Sequence, residues 1–337
     1  MKYSTVSIII ATLNCADSLV ECLTSISGQK YPKGKIEIIV VDGGSRDSTV
    51  SIAERFNCKV LIKKGILSEA AKSYGLEIAT GELVIDIASD NILPTNDWLK
   101  LLVNPLMKDK RLVGSYPLRY LYRKTDSIFN RYVALFGVND PLPFYLGKAD
   151  RLSYLYDKYN LAGDVEDMDE YYRVVFTPEN MPTLGANGFV IRTKLLKKAR
   201  VDPAHFFHID VIYDLVEQGL NNFAVVNNSI IHKTADTLIS LMKKRLKYMD
   251  TLYLKQITNR RYHMVTKGEY VKLLLFVFYS LTIFQPLWVS FVGFSKKKDL
   301  AWFLHPLVCF TITLTYIYCV ARASIRLSPS RSERLSL

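Results

Sequence analysis

The sequence has no cysteine framework. Its five cysteines, Cys15, Cys22, Cys58, Cys309 and Cys319, show neither the even spacing of a disulfide scaffold nor the paired spacing of a zinc site, which predicts reduced, mostly buried thiols in a cytosolic compartment. No Gly-x-Gly-x-x-Gly turn follows the first apolar stretch. Ala11-Thr12-Leu13-Asn14-Cys15 stands there instead, which argues against a dinucleotide cofactor. No signal-peptide pattern precedes that stretch either, so the first half is expected to stay on the cytosolic side. Acidic residues are scarce relative to basic ones, 32 against 44, giving a net charge of +12. The excess is concentrated between Lys243 and Lys272 and again from Arg322 to Arg334, on both sides of apolar segments, without the basic and aromatic motif of a nucleic-acid module. An anionic membrane surface is therefore the expected partner, and nucleic acid is not.

What is present is an alternation of buried strands and helices. Val6 to Ala11 is almost wholly apolar, and Leu19, Cys22, Leu23 and Ile26 then recur at helical spacing before Gly28. Ile36 to Val41, Lys59 to Ile62 and Leu83 to Ile87 read as further strands, with a helix over Glu69 to Ala79. This order predicts an α/β domain with a doubly wound, mostly parallel sheet. Such sheets bind ligands beyond the carboxyl ends of their strands, and three of those ends carry Asn14, Asp42 and Asp90. Gly43 and Gly44 would let the backbone approach a ligand there. The oxygens of Ser89-Asp90-Asn91 suit a hard divalent cation, which could in turn hold a diphosphate.

Val6-Ser7-Ile8-Ile9-Ile10-Ala11-Thr12-Leu13-Asn14, then Ile38-Ile39-Val40-Val41-Asp42-Gly43-Gly44-Ser45-Arg46-Asp47-Ser48-Thr49, then Ala79-Thr80-Gly81-Glu82 resembles a family-2 glycosyltransferase of the GT-A fold. The resemblance implies a nucleotide-sugar donor, a UDP- or GDP-sugar, and Mg2+ or Mn2+. It places Asp42 at the nucleotide base, with Thr12, Asn14 and Gly44 lining the same pocket. Lys72 falls near a basic position that faces the donor, and Ser89 and Asp90 lie at the diphosphate. The family's Asp-any-Asp reads Ala88-Ser89-Asp90 here, so the first carboxylate is missing. Metal binding is then expected through Asp90, helped by Asn91. Asp86 shares the face of Ala88 and either substitutes for the lost carboxylate or is structural.

Further along, Gly185-Ala186-Asn187-Gly188 resembles the family's glycine-rich element beside the donor sugar and acceptor. His208-Ile209-Asp210 then opens a helical run, and Asp210 matches the family's general base, with His208-Ile209 in place of the customary glutamate. His232, in Ile230-Ile231-His232-Lys233, resembles a closing histidine that completes the metal or diphosphate site. Tyr116 to Pro182 is rich in aromatic and acidic residues, which either grip a sugar or isoprenoid or pack helices onto the sheet.

At the carboxyl end, Thr237 to Tyr262 alternates apolar and basic residues at helical intervals, the make-up of an interfacial helix or of a charged helix packed on its own domain. Leu273 to Phe294, about 33 Å long if helical, and Leu300 to Ala321 are each apolar enough to cross a bilayer. The expected layout is a glycosyltransferase domain over 1–235 (nucleotide-binding half 1–110, acceptor half 111–235), an amphipathic linker over 236–270, a membrane hairpin over 271–322 and a basic tail over 323–337. Positive flanks place both ends inside and the Lys296–Lys298 turn outside, unless Pro286 turns the first segment back. The expected function is inverting sugar transfer to a lipid-linked or membrane-embedded acceptor, on the cytoplasmic side of a membrane. With Ala88 in place of a carboxylate, the alternative is an inactive, membrane-anchored subunit that only binds the sugar nucleotide or lipid.

Overall fold

A computed structural model describes residues 3–196, 198–254 and 256–327. β1 (Val6–Thr12), α1 (Ala16–Ser27), β2 (Ile36–Asp42), α2 (Thr49–Arg55), β3 (Lys59–Ile62), α3 (Ser68–Ile78) and β4 (Leu83–Asp86) follow one another. β1 lies parallel to and between β2 and β4, and β2 is parallel to β3. All four strands therefore end at one edge, with Thr12 directly opposite Asp42. The cause is in β1, where Val6, Ile8, Ile9 and Ile10 are all buried and both faces need a covering layer. Ile8 and Ile10 pack with Leu19, Cys22, Leu23 and Ile26 of α1. On the other face α3 comes so close that a Cβ on Gly75 would lie 2.6 Å from Ile9 Cγ2.

The second half adds β5 (Asn91–Ile92), α4 (Trp98–Lys108), β6 (Gly114–Tyr120), α5 (Ile128–Phe136), α6 (Pro141–Leu146), β7 (Asp164–Asp167), β8 (Tyr171–Val175), β9 (Phe189–Arg192), α7 (Thr193–Leu196), α8 (His208–Glu217) and β10 (Asn222–His232). The sheet order is β3-β2-β1-β4-β9-β6-β10-β8-β7, with β5 attached to β10. β9 is antiparallel to both β4 and β6, so the α/β class stands but the sheet is mixed beyond its first four strands. Tyr116, Tyr120, Tyr132 and Phe136 are buried, and for these the packing reading of the aromatic segment is the right one. β10 runs unbroken for 11 residues through a register shift between Val226 and Ser229. That continuity carries His232 to the edge where β4 ends.

Glu37 ties the first three strands together. It accepts hydrogen bonds from Ser7 Oγ of β1, from Lys59 Nζ of β3 and from the Thr80 N–H and hydroxyl. Burial by itself raises its pKa, but these donors outweigh burial and hold it down to about 2. Its stabilising contribution is thus complete above the ordinary glutamate value of about 4.3 and is lost as pH falls toward about 2. Between pH 5 and pH 2.5, Glu37→Gln should lose less stability in urea than the parent does. An equal loss in both proteins would remove Glu37 as a cause.

Beyond β10 come α9 (Leu238–Tyr248), α10 (Tyr270–Thr282), α11 (Phe284–Lys296) and α12 (His305–Leu327). α9 is held on its own domain, with Leu241 and Arg245 buried. The expected span over 273–294 is not one helix: α10 and α11 meet at 83° around Ile283, which has φ 57°. The break lies three residues before Pro286, whose ring would clash with the Thr282 carbonyl if the helix ran on. Among the described residues only Leu300–Ser324, with mean hydropathy 1.7, is by itself long and apolar enough to cross a membrane. Arg331 and Arg334 of the expected basic tail lie outside the described residues.

Candidate active site

At the carboxyl edge the loops after β1 and β2 close on one carboxylate. Asp42 is fully buried, its Oδ1 accepting the N–H groups of Gly44 (2.8 Å) and Ser45 (2.7 Å) and its Oδ2 the hydroxyls of Thr12 (2.8 Å) and Ser45 (2.6 Å). Burial raises its pKa, and these four donors more than reverse the effect. Exposed Asn14, at φ 48°, accepts the Arg46 N–H at 2.8 Å. Asp42 and Thr12 therefore shape the loop that carries Gly44 (φ 99°). In this geometry no oxygen of Asp42 is left for the expected contact with a nucleotide base.

The β5–β10 pairing sets Asn91 opposite His232, and with it brings Asp90 against the imidazole. His232 Nε2 is 3.5 Å from Asp90 Oδ1, and Lys244 Nζ of α9 is 3.6 Å from Oδ2. Burial raises the Asp90 pKa, but His232 and then Lys244 hold it down to about 2. Asp90 Oδ1 and His232 Nδ1 are buried without a hydrogen-bond partner. A carboxylate oxygen and an imidazole nitrogen facing each other at this distance fit two neighbouring ligands of one divalent ion. Among the described residues no third His, Cys, Asp or Glu joins them, so Mg2+ or Mn2+ would take its other ligands from water and substrate phosphates, the usual way Mg2+ is held. Asn91 leaves the expected ligand set. It is fully buried, and its one oxygen accepts the Ala88 N–H at 3.0 Å to close the turn. Ser89 sits beside the Cys15 thiol, which joins this turn to the loop after β1.

A second group of charges is buried nearby. Lys72 Nζ is 2.8 Å from Asp86 Oδ2 and 3.2 Å from Glu69 Oε1, and Glu69 Oε2 accepts both the N–H and the Nδ1 of His208 at 2.9 Å. Lys72, expected to face the donor, is thus engaged by two carboxylates. Asp86 serves as its partner and does not replace the missing metal-side carboxylate. Lys72, Asp86 and His208 line a small cavity with Gly185, where φ is 112° and a Cβ would lie 2.8 Å from the His208 carbonyl oxygen. Only glycine suits that position.

The loop from Gly185 to Gly188 reaches from this group to the Asp90–His232 pair. Fully buried Arg151 holds it, donating to the carbonyls of Ala186 (3.2 Å) and Asn187 (3.0 Å) while lying over the rings of Tyr116 and Tyr120. Asn187 Nδ2 donates to Tyr120 Oη at 3.0 Å, and the Tyr120 ring lies 5.3 Å from that of His232. Asp150 pairs with Arg151 at 2.7 Å and lies within the electrostatic reach of both His208 and His232. Burial raises its pKa, with Arg151 opposing. Its other oxygen takes no side-chain hydrogen bond among the described residues, as is also true of Asp86 Oδ1 and Asp90 Oδ1.

Asp210 is the main departure from expectation. It lies 1% exposed, accepts three hydrogen bonds of 2.9–3.1 Å from the Arg260 guanidinium, and also accepts the N–H groups of Arg261 and Tyr262 at 3.2 Å. A carboxylate so saturated has no lone pair directed at an acceptor hydroxyl, and in this arrangement it pins the segment after α9 to the start of α8. Asp210→Asn should therefore destabilise the fold by about 3–5 kcal/mol, the cost of leaving a buried charge unpaired. Chemical denaturation measures this, and an unchanged midpoint would argue for a role other than pinning.

Asp150, Arg151, Tyr120, Glu69, Lys244 and Arg260 are the members that sequence reasoning did not select. Lys244 and Arg260 lay in plain view within the basic stretch, but their periodicity pointed to a surface helix. Lys148-Ala149-Asp150-Arg151 carries no local signal at all.

The Glycosyl transferase family 2 model matches residues 7–160. Glycosyltransferase AglE of Haloferax volcanii is 37% identical over 103 residues, covering 28% of this chain and 33% of its own length. Glycosyltransferase GlyG of Streptococcus pneumoniae is 33% identical over 135 residues, covering 38% and 43%. The chain thus spans less than half the length of these relatives. Among solved structures, the mannosyltransferase PcManGT from Pyrobaculum calidifontis in complex with GDP-Man and Mn2+ aligns over 98% of this chain and 89% of its own, with a TM-score of 0.49 and 15% identity.

Proposed function

We propose that this chain, whose residues 7–160 match the Glycosyl transferase family 2 model, moves a sugar, with inversion, from a UDP- or GDP-sugar to a lipid-linked or membrane-embedded acceptor at the cytoplasmic face of a membrane. The observation that carries this reading is the Asp90–His232 pair, two potential ligands facing each other at 3.5 Å where the parallel strands end. Asp90 and His232 would hold Mg2+ or Mn2+, which when bound neutralises the charge of a leaving diphosphate. Lys244, 3.6 Å from Asp90, places a further positive charge beside the same phosphates. The Gly185–Gly188 loop, pinned by Arg151, lies against the sugar. Asp150, which pairs with Arg151 through one oxygen and lies within electrostatic reach of His208 and His232, receives the acceptor proton.

The test is release of free nucleotide by the purified full chain from a panel of UDP- and GDP-sugars. Release that needs Mn2+ or Mg2+ and stops with chelator is expected. Binding of a nucleotide without any release, in the presence of polyprenyl phosphate or lipid-linked glycan, would overturn catalysis. It would instead favour the non-catalytic binding subunit that Ala88 allows.

A further inference from the structure

We infer that the three carboxyl-terminal helices dock the protein onto an anionic bilayer from one side, lying in its interface, and that α12 does not cross it. The inference is independent of the transfer reaction.

The length and hydropathy of α12 would suit a span, but its contacts do not. The helix has two opposite stripes. Val308, Cys309, Ile312 and Cys319 are buried against the protein, while Leu307, Phe310, Leu314, Ile317 and Tyr318 are exposed. The buried stripe is tied to the soluble domain along its whole length. His305 meets the hydroxyls of Tyr132 (3.0 Å) and Tyr145 (2.9 Å), Tyr316 bonds Asp140, and Arg322 pairs with Asp250. From His305 to Arg322 the axis rises about 26 Å at 1.5 Å per residue. That is close to the roughly 30 Å of a hydrocarbon core. A crossing α12 would drag Asp140, its partner Arg245 and Asp250 into hydrocarbon, where each charge is costly.

The segment before α12 agrees. Instead of emerging on a far side, the turn after α11 comes back to the domain. Lys296 Nζ lies 3.0 Å from Asp157, and Lys297 Nζ stands 4.3 Å above the Tyr122 ring. Asp299 receives the Arg131 guanidinium at 2.9 Å. With the 83° bend at Ile283, α10 and α11 meet nearly at a right angle instead of running on as one straight span. The expected exterior turn therefore lies on the same side as the catalytic domain.

The exposed stripes identify the occupant. Val271, Leu274 and Phe278 on α10 and Phe284, Trp288 and Phe291 on α11 are 54–77% exposed, and they join the outer stripe of α12 through helices that touch one another. So much exposed apolar surface marks a docking face. Exposed Lys243, Lys247, Lys267 and Lys272 flank it on a chain of net charge +12, so a second copy would bring like charges together, whereas anionic headgroups complement them. α9 connects this face to the cleft, with Arg245 bound to Asp140 at the α12 end and Lys244 at Asp90.

The topology is testable in the full chain with Cys15→Ser and Cys58→Ser, by labelling with a membrane-impermeant maleimide in sealed inverted vesicles and in spheroplasts. Three added thiols, Ser51→Cys on α2, Ser295→Cys before the lysine turn and Ser324→Cys late in α12, should all label from the same face. Labelling of Ser295→Cys and Ser324→Cys from opposite faces would show a crossing and overturn the inference. The purified chain should also bind phosphatidylcholine vesicles containing phosphatidylglycerol at least tenfold more tightly than phosphatidylcholine alone, with the difference shrinking in salt. Equal binding to both would remove the anionic surface as the partner.

Discussion

Asp90→Asn is expected to lower divalent-dependent nucleotide release by at least about 100-fold, the scale set by removing one preorganised group that stabilises transition-state charge. Asparagine keeps the shape of the turn but takes away the negative charge from the pair facing His232. It also frees Lys244, whose only acidic neighbour within 4 Å among the described residues is Asp90. Two readouts separate the metal role from a packing role. Titrating Mn2+ against tryptophan fluorescence or by calorimetry should show weakened binding in Asp90→Asn and in His232→Ala alike, while thermal unfolding without metal stays within a few degrees of the parent. Full turnover by Asp90→Asn would sink the cation site and, with it, the donor assignment. Loss of turnover with unchanged metal affinity would place the cation elsewhere.

Asp150→Asn is the second large effect. Removal of a general base costs roughly 100- to 10,000-fold in kcat, and the loss should fall mainly on kcat, because asparagine keeps an oxygen for Arg151, which holds the Gly185–Gly188 loop. The pH profile supplies the sign. Burial raises the Asp150 pKa, so the ionised, proton-accepting form is present only above a value higher than the ordinary aspartate range. The parent's kcat/KM should therefore decline on the acid side earlier than an exposed aspartate would dictate, and that acid limb should vanish from the residual activity of Asp150→Asn. Asp210→Asn is the control. It should lose stability while the protein that remains folded keeps its kcat. The reverse outcome, an inactive but stable Asp210→Asn beside an active Asp150→Asn, would return the base to Asp210 and require Arg260 to release it on substrate binding.

The contrast between these two aspartates shows how far a chain can be read without its fold. Asp210 stands at the expected distance behind a glycine-rich element and opens a helix as expected. What defeats the base assignment is Arg260, fifty residues on, which no local pattern pairs with it. Asp150 offers the converse case, since its electrostatic reach to His208 and His232 joins segments that lie far apart along the chain. The helix break shows the same limit at shorter range. Pro286 was the visible signal, yet the chain bends at Ile283, because a proline obstructs the turn preceding it.

By itself the sequence determined the strand–helix alternation of the first half, the single edge to which Thr12, Asn14, Asp42 and Asp90 are delivered, and the apolar, basic-flanked carboxyl end. These are consequences of local periodicity and of the right-handed crossover, which act over a few tens of residues. Only the tertiary structure decided that His232 faces Asp90, that Asp42, Lys72 and Asp210 are engaged by partners of their own, and that α12 lies along the domain. Each of those depends on which distant side chain satisfies a buried charge, and a charge taken out of water is compensated by whatever group the finished packing places beside it.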